Sequence, residues 1–278
     1  MSKITISVDN TSDLGPELFE KHDLKVIYFG IAIGDKLFRD TEVTPDDIYN
    51  AVEKDNLVPK TNAALEVDYR ELFEQSTKDG GSIIHLNMSG ALSASHSNAL
   101  RAAKGLERVT VIDTQNGSLG TGILAIHAAE LAKSGKSVTD ITKIITDMVT
   151  KVDTSFILND LKYLHKGGRA STLKLLGANL LKIRASLRVD EAGKIVPDKK
   201  FKGQFDKSVK EWTEYKLSQP CSKDVVYVLH TDTNNKIIGD TVQAYKDAGY
   251  KDVQRVLIGP TLTIHIGRNA MGVVRIRE

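Results

Sequence analysis

Apolar and polar side chains alternate through residues 3–9 (KITISVD), the two-residue period of a strand with one buried face, and the polar stretch NTSD closes it. Residues 14–21 read as a short helix with Ser12 or Asp13 as its cap. The run KVIYFGIAIG at 25–34 predicts a second strand, and Gly34-Asp35 turns the chain towards KLF. At 44–54 (TPDDIYNAVEK) the helix start is complete: Thr44 can cap, Pro45 suits the first helical position, and Asp46 and Asp47 suit the first turn. A helix at 68–78 follows, then a strand at 82–87 (SIIHLN), a hydroxyl-rich loop and helix start at 88–104, and a strand at 109–113 (VTVID). The glycine-rich 114–122 leads into helices at 123–133 and 141–152. Strands alternating with helices in this way predict a mostly parallel sheet with helices on its faces.

The pattern changes near residue 154. Residues 155–160 read as a strand, 161–169 (LKYLHKGGR) as a short helix ended by a double glycine, and 171–183 as a further helix. Residues 183–197 suggest a hairpin turning at 191–193. A helix at 205–217, a strand at 223–230, a helix at 237–249 and strands at 253–259 and 273–278 complete the chain. The expectation is an α/β protein of two closely joined domains. Residues 1–154 form one with a mostly parallel sheet, and residues 155–278 form one with a mixed architecture.

Composition adds exclusions. With 278 residues, 41% of them hydrophobic, the chain can build its core without a disulfide or zinc staple. The single Cys221 can supply neither an internal disulfide nor the thiolate set of a structural zinc site. The start MSKITISVDN carries Asp9 where the apolar core of an export signal would lie. No run reaches the roughly 18 apolar residues of a membrane span, so a soluble cytoplasmic protein is expected. The formal net charge of +2 conceals two opposed segments: residues 1–80 carry 17 acidic and 9 basic side chains, and residues 160–210 carry 5 acidic and 13 basic ones. Lys182, Arg184, Arg188, Lys199, Lys200 and Lys202 belong to the basic stretch. Solvated salt bridges or an acidic protein partner are its two readings; too few aromatics interleave with it for a nucleic-acid platform.

Nucleotide and metal motifs are missing. GxGxxG does not follow the first strand, and neither GxxxxGK[ST] nor HExxH occurs, which disfavours a Rossmann dehydrogenase. GSLGTG at 117–122 fits a helix-entry turn as well as a nucleotide cradle. Ser89, Ser93, Ser95 and Ser97 follow a predicted strand end, where α/β folds place ligand loops. Ser93 can donate to an anionic oxygen or simply cap a helix; GALSA is not a full GxSxG nucleophile elbow. Thr61, in PKTNAA, can bind a carboxylate oxygen or hold its own loop. Arg169 ends KGGR, where its guanidinium can reach an anion or form a surface ion pair. His265 is a polar ring within the apolar alternation of PTLTIHIGRNAMG, facing either an internal partner or a ligand oxygen.

Taken in order, DNTSDL (9–14), SGALSAS (89–95), VIDTQNGSLGTG (111–122), FILNDLKYLHKGGRAS (156–171), LLGANLLKIRASLRVDEAGKIVP (175–197) and IGPTLTIHIG (258–267) resemble the DegV family over nearly the whole chain. The resemblance implies a two-domain DegV-like α/β fold with an acyl ligand between the domains. It implies a non-catalytic protein that binds a long-chain fatty acid in an apolar tunnel and presents the carboxylate to a separate fatty acid kinase. Thr61 and Ser93 fall at the family's headgroup hydroxyls, and Arg169 and His265 at its supporting arginine and histidine. Asp9, Ser89 and Lys202 are candidate supporting groups. No cofactor, metal or nucleic acid is expected; the ligand is the fatty acid, and transient membrane contact is compatible with it.

Three segments depart from the family pattern: TNAA at 61–64, LSAS at 92–95, and Gly267-Arg268-Asn269 after the histidine. Two other classes remain open at this stage. One is a small-molecule phosphotransferase or hydrolase using Ser93, Asp9 and His265; the other is a regulatory interaction protein.

Overall fold

A computed structural model describes residues 3–159, 161–167 and 183–278. The predicted helix at 171–183 and the Arg169 site lie outside these residues, Ile183 excepted. The described chain groups into two compact units, each discontinuous in sequence. The first comprises residues 1–30, 62–151 and 191–194, and the second residues 31–61, 152–190 and 195–278.

In the first unit, β1 (Ile4–Asp9) runs into a 3-10 turn (Asn10–Ser12), α1 (Gly15–Lys21) and β2 (Lys25–Ile27). β2 pairs with β1 for three residues only, because β1 ends at Asp9, opposite Ile27. The predicted strand 25–34 is therefore split. Its second half becomes β3 (Gly30–Ile33), which joins β4 (Lys36–Arg39) and, after α2 (Pro45–Glu53), β5 (Lys60–Asn62) in a three-stranded sheet. α2 begins as its sequence predicts: Thr44 Oγ1 accepts from the Asp47 N–H, and Asp47 accepts from the Thr44 N–H.

The chain then returns through α3 (Glu66–Thr77), β6 (Ser82–Asn87), α4 (Ser95–Ala103), β7 (Val109–Asp113), α5 (Leu119–Lys133) and α6 (Val138–Val149). The sheet has the order β2-β1-β6-β7 and is parallel throughout, as the alternating pattern predicts. Its central strands bury Ile6, Val8, Ile83, Ile84 and Leu86, consistent with helices on both faces. Tyr69 and Phe73 of α3 pack with Ala99 and Ala102 of α4.

The second unit continues with β8 (Val152–Leu158), α7 (Lys162–Lys166), β9 (Ile183–Val189), β10 (Ile195–Lys202), α8 (Phe205–Leu217), β11 (Val225–His230), α9 (Asn235–Asp247), β12 (Asp252–Leu257), α10 (Pro260–Ile266) and β13 (Ala270–Ile276). Its sheet, ordered β10-β9-β8-β13-β11-β12, is mixed: β13 is antiparallel to β8 and β11, whereas β11 and β12 are parallel. Trp212, Tyr245, Val226, Val228, Met271 and Val273 form its main core. A second cluster joins Ile31, Ile48, Tyr49 and Val52 to Tyr163 and Ile264, so a stretch from early in the sequence is built into this later unit. Residues 260–266, which carry His265, are helical. Pro260 presets the first turn, and Gly267, at φ +71°, ends the helix.

Among the described residues, no helix is long and apolar enough to cross a membrane.

Candidate functional site

The parallel sheet delivers the serine loop at the carboxyl end of β6. Every backbone N–H from 88 to 93 has a protein acceptor. Met88 donates to Asp9 Oδ2 (3.0 Å), Ser89 to the Asn116 carbonyl (2.7 Å), and Gly90 to the Asp113 carboxylate (3.2 and 3.3 Å). Ala91 donates to Ser89 Oγ (3.1 Å), and Leu92 and Ser93 to the Ser89 carbonyl (2.9 and 3.1 Å). The N–H groups of residues 88–93 are thus all engaged within the protein, so a free donor in this stretch has to be a side chain.

Ser93 supplies one. Its Oγ accepts from the Ser95 N–H at 3.2 Å, just ahead of α4, while the hydroxyl hydrogen has no acceptor among the described residues. Ser93 is not the cap of α4, whose N-cap is Ala94; its Oγ accepts within the turn that enters the helix, and the hydroxyl proton remains to be donated. Ser89 is buried and serves the loop. Gly193, at φ +71°, lies against it so closely that a Cβ would overlap Ser89 Oγ.

Asp9 is fully buried beneath this loop. Besides Met88, it accepts the Tyr69 hydroxyl (2.8 Å) and the Asn87 amide (3.2 and 3.3 Å). His85 Nε2 lies 3.4 Å away, its Nδ1 being 2.8 Å from Ser7 Oγ. Burial first, and then the Asp9 charge, push the Tyr69 phenol far above its ordinary value, so it remains a proton donor. Asp9 thus holds the loop from below, and its carboxylate is enclosed by its own donors.

In the second unit, β5 carries Thr61 and α10 carries His265, and Thr61 Oγ1 lies 3.1 Å from His265 Nε2. The direction of this bond matters. With a proton on Nε2, the imidazole donates to Thr61 and leaves the threonine proton for an anion; with Nε2 bare, that proton is consumed by the ring. Gly167 gives the ring room, since a Cβ there would stand 2.6 Å from His265 Nδ1. Lys202 is exposed at the end of edge strand β10 and forms no hydrogen bond with these groups. Arg169 lies outside the described residues.

The structure therefore brings Thr61 to His265 in one unit and Ser93 to Ser89 in the other, where Asp9 holds the start of the same loop through Met88. Sequence reasoning missed Asp113, which also accepts from the Gln115 N–H at 2.8 Å and so ties two loops together. Its signal was available: a carboxylate at the carboxyl end of a predicted strand, entering a loop. Among the described residues, no group of three or more His, Cys, Asp or Glu side chains could hold a metal ion.

Comparison with known proteins bears on this arrangement. The family model described as uncharacterised protein, DegV family, matches residues 3–278. A DegV domain-containing protein of Staphylococcus aureus (strain COL) is 32% identical over 193 residues, 69% of each chain. One from Clostridium perfringens is 26% identical over the full length of both. Among solved structures, a Thermus thermophilus DegV family protein described for its fatty acid binding superposes with a TM-score of 0.88 at 21% identity, covering 99% of this chain and 100% of that one. Bacillus subtilis DegV, described as a fatty acid binding protein, gives 0.85 at 24% identity over the whole of both chains. These likenesses establish the shared two-domain architecture, with its parallel and mixed sheets.

Proposed function

From the premise that this chain belongs to the DegV family, we propose that it binds a long-chain fatty acid and presents the carboxylate to a separate fatty acid kinase. Thr61 and Ser93 are the hydroxyl donors to the acid, with Arg169 and His265 supporting the anion. Asp9, Ser89 and Asp113 act through the loop that carries Ser93, and Lys202 is assigned to the periphery.

The observation that carries this reading is the Thr61–His265 pair at 3.1 Å, a hydroxyl whose proton can be released towards an acceptor by the ring behind it. Ser93, with its oxygen accepting from Ser95 and its proton available, is a second donor of the same kind. Burial of an acyl tail contributes about 0.8 kcal/mol per methylene, whereas an anionic headgroup is costly to bury unless donors surround it. The protein accordingly needs few polar groups, each with a disposable proton. A hydrolase built on Ser93, Asp9 and His265 fits poorly, because Asp9 is 0% exposed and already accepts from Tyr69, Asn87 and Met88. Transfer of phosphate to the acid is assigned to the partner, since this sequence carries no nucleotide motif.

The test is organic extraction of natively purified protein, mass spectrometry, and calorimetry on the delipidated form. A co-purifying long-chain acid is expected, with Ser93→Ala binding the acid about tenfold more weakly, as for one lost hydrogen bond to a charged group. A protein that carries no fatty acid and binds none removes the reading.

A further inference from the structure

Arg268 follows α10 by two residues, in a segment where the chain departs from the family pattern. Its guanidinium lies over the Tyr49 ring, 3.9 Å from the centroid. Its Nε is 3.3 Å from both carboxylate oxygens of Glu53, and its Nη1 pairs with Asp232. Glu53 also accepts the Tyr163 hydroxyl at 2.8 Å. Beside it, Gly267 sits so close to the Tyr163 ring that a Cβ would overlap it.

The other end of α10 is fastened as well. Asp40 accepts the Thr261 N–H at 3.1 Å and the Thr261 hydroxyl. The helix bearing His265 is thus tied at its start to Asp40 and just beyond its end to Glu53 and Tyr49. All three belong to residues 31–61, the stretch that terminates in Thr61. An exposed ion pair alone contributes little. Here a planar cation is stacked on an aromatic face and shared between two carboxylates, which fixes its direction as well as its place.

We propose that Arg268 is a positioning residue for the headgroup donors: by clamping the end of α10 to α2, it sets the separation and angle of Thr61 and His265, and thereby how strongly the site prefers a carboxylate to an uncharged headgroup. Hydrogen bonds weaken steeply with misalignment, so a small rotation of α10 is felt at the acid and not along the tail. The inference rests on the fatty-acid reading above.

Calorimetry of delipidated protein with a long-chain fatty acid and with the alcohol of equal length separates the two. Arg268→Gln is expected to bind the acid about tenfold more weakly, the scale of one charge-assisted hydrogen bond, with alcohol affinity unchanged. Arg268→Lys, which keeps the charge for Glu53 and Asp232 but not the planar fork, should recover part of the loss. Equal losses for acid and alcohol would overturn the proposal by reducing Arg268 to a support of the fold, and unchanged binding of both would overturn it outright. If Arg268→Gln does not fold, Glu53→Gln removes the same clamp from the other side and carries the same comparison. Unsubstituted protein that binds neither compound defeats the fatty-acid reading itself, a result distinct from any seen only in the variants.

Discussion

Asp153 gathers three cations around one carboxylate in the second unit. Its carboxylate is 3.3 Å from Lys216 Nζ, 2.5 Å from Arg275 Nη2 and 3.7 Å from Arg277 Nη2. Lys216 and Arg275 are each 1% exposed. Burial by itself would raise the carboxyl, but the combined pull of Lys216 and Arg275 prevails and holds it below its ordinary value. Lys216 is pushed down, chiefly by burial, which outweighs the pull of Asp153; Arg275, a like charge on the same carboxylate, adds to the lowering. A carboxyl lowered in the folded state stabilises the protein above its unfolded pKa of about 3.9, and that contribution is lost as the pH falls through the folded value. Asp153→Asn should therefore cost about 3–5 kcal/mol near neutral pH, since two buried cations lose their counter-charge. Denaturant titrations at pH 7 and pH 3 should show the gap from the unsubstituted protein narrowing in acid; a gap independent of pH contradicts the account. Single residues were unevenly legible in the sequence. Thr61, Ser93 and His265 stood out because a hydroxyl or imidazole in a turn or an apolar run invites a question. Arg268 did not, because its partners, Glu53 and Tyr49, are brought near only by folding.

At the level of elements, glycines in helices separate two physical cases. Gly122 in α5 faces the turn after β1, where a Cβ would stand 2.8 Å from both the Ser12 carbonyl and a Leu14 methyl. Gly239 in α9 has nothing within 4 Å of the same position. Gly122→Ala should lower stability by about 1–3 kcal/mol through overpacking. Gly239→Ala should raise it by about 1 kcal/mol through helix propensity alone. Chemical denaturation of both variants checks the contrast, and a stabilising Gly122→Ala would refute the close packing of α5. The glycines of GSLGTG thus include one that packing demands, a distinction invisible in the motif. Helices and strands with a long, unambiguous period were readable in advance. The division of 25–34 between two sheets was not, because it depends on where the neighbouring strand ends. Nor was the helical form of 260–266, since seven residues are too few to distinguish a strand period from a helical one.

For the whole molecule, the passage of residues 31–61 into the second unit revises the charge pattern seen in the sequence. That stretch carries 7 acidic and 4 basic side chains, so part of the acidic beginning is built into the unit that also holds Arg184, Arg188, Lys199, Lys200 and Lys202 of the basic segment. The two opposed segments therefore do not map onto two opposed bodies. If the native protein is a fatty-acid carrier, its stability depends on the free ligand. A concentration about a hundredfold above Kd should add about 2.7 kcal/mol to unfolding. Thermal melts of delipidated protein against increasing fatty acid should rise continuously, and a melting temperature indifferent to the acid argues against a site that exists only in the folded chain.

Thr61 and His265 are 204 positions apart, and Asp40 and Thr261 are 221 apart. Closing loops of such length costs chain entropy before the contact is rewarded. During synthesis the threonine emerges long before its histidine, and the two cannot meet until residue 265 has been made and has folded back. On the proposed function, ligand capture would wait for that meeting, and a nascent chain whose first sheet is already assembled would not yet compete for lipid.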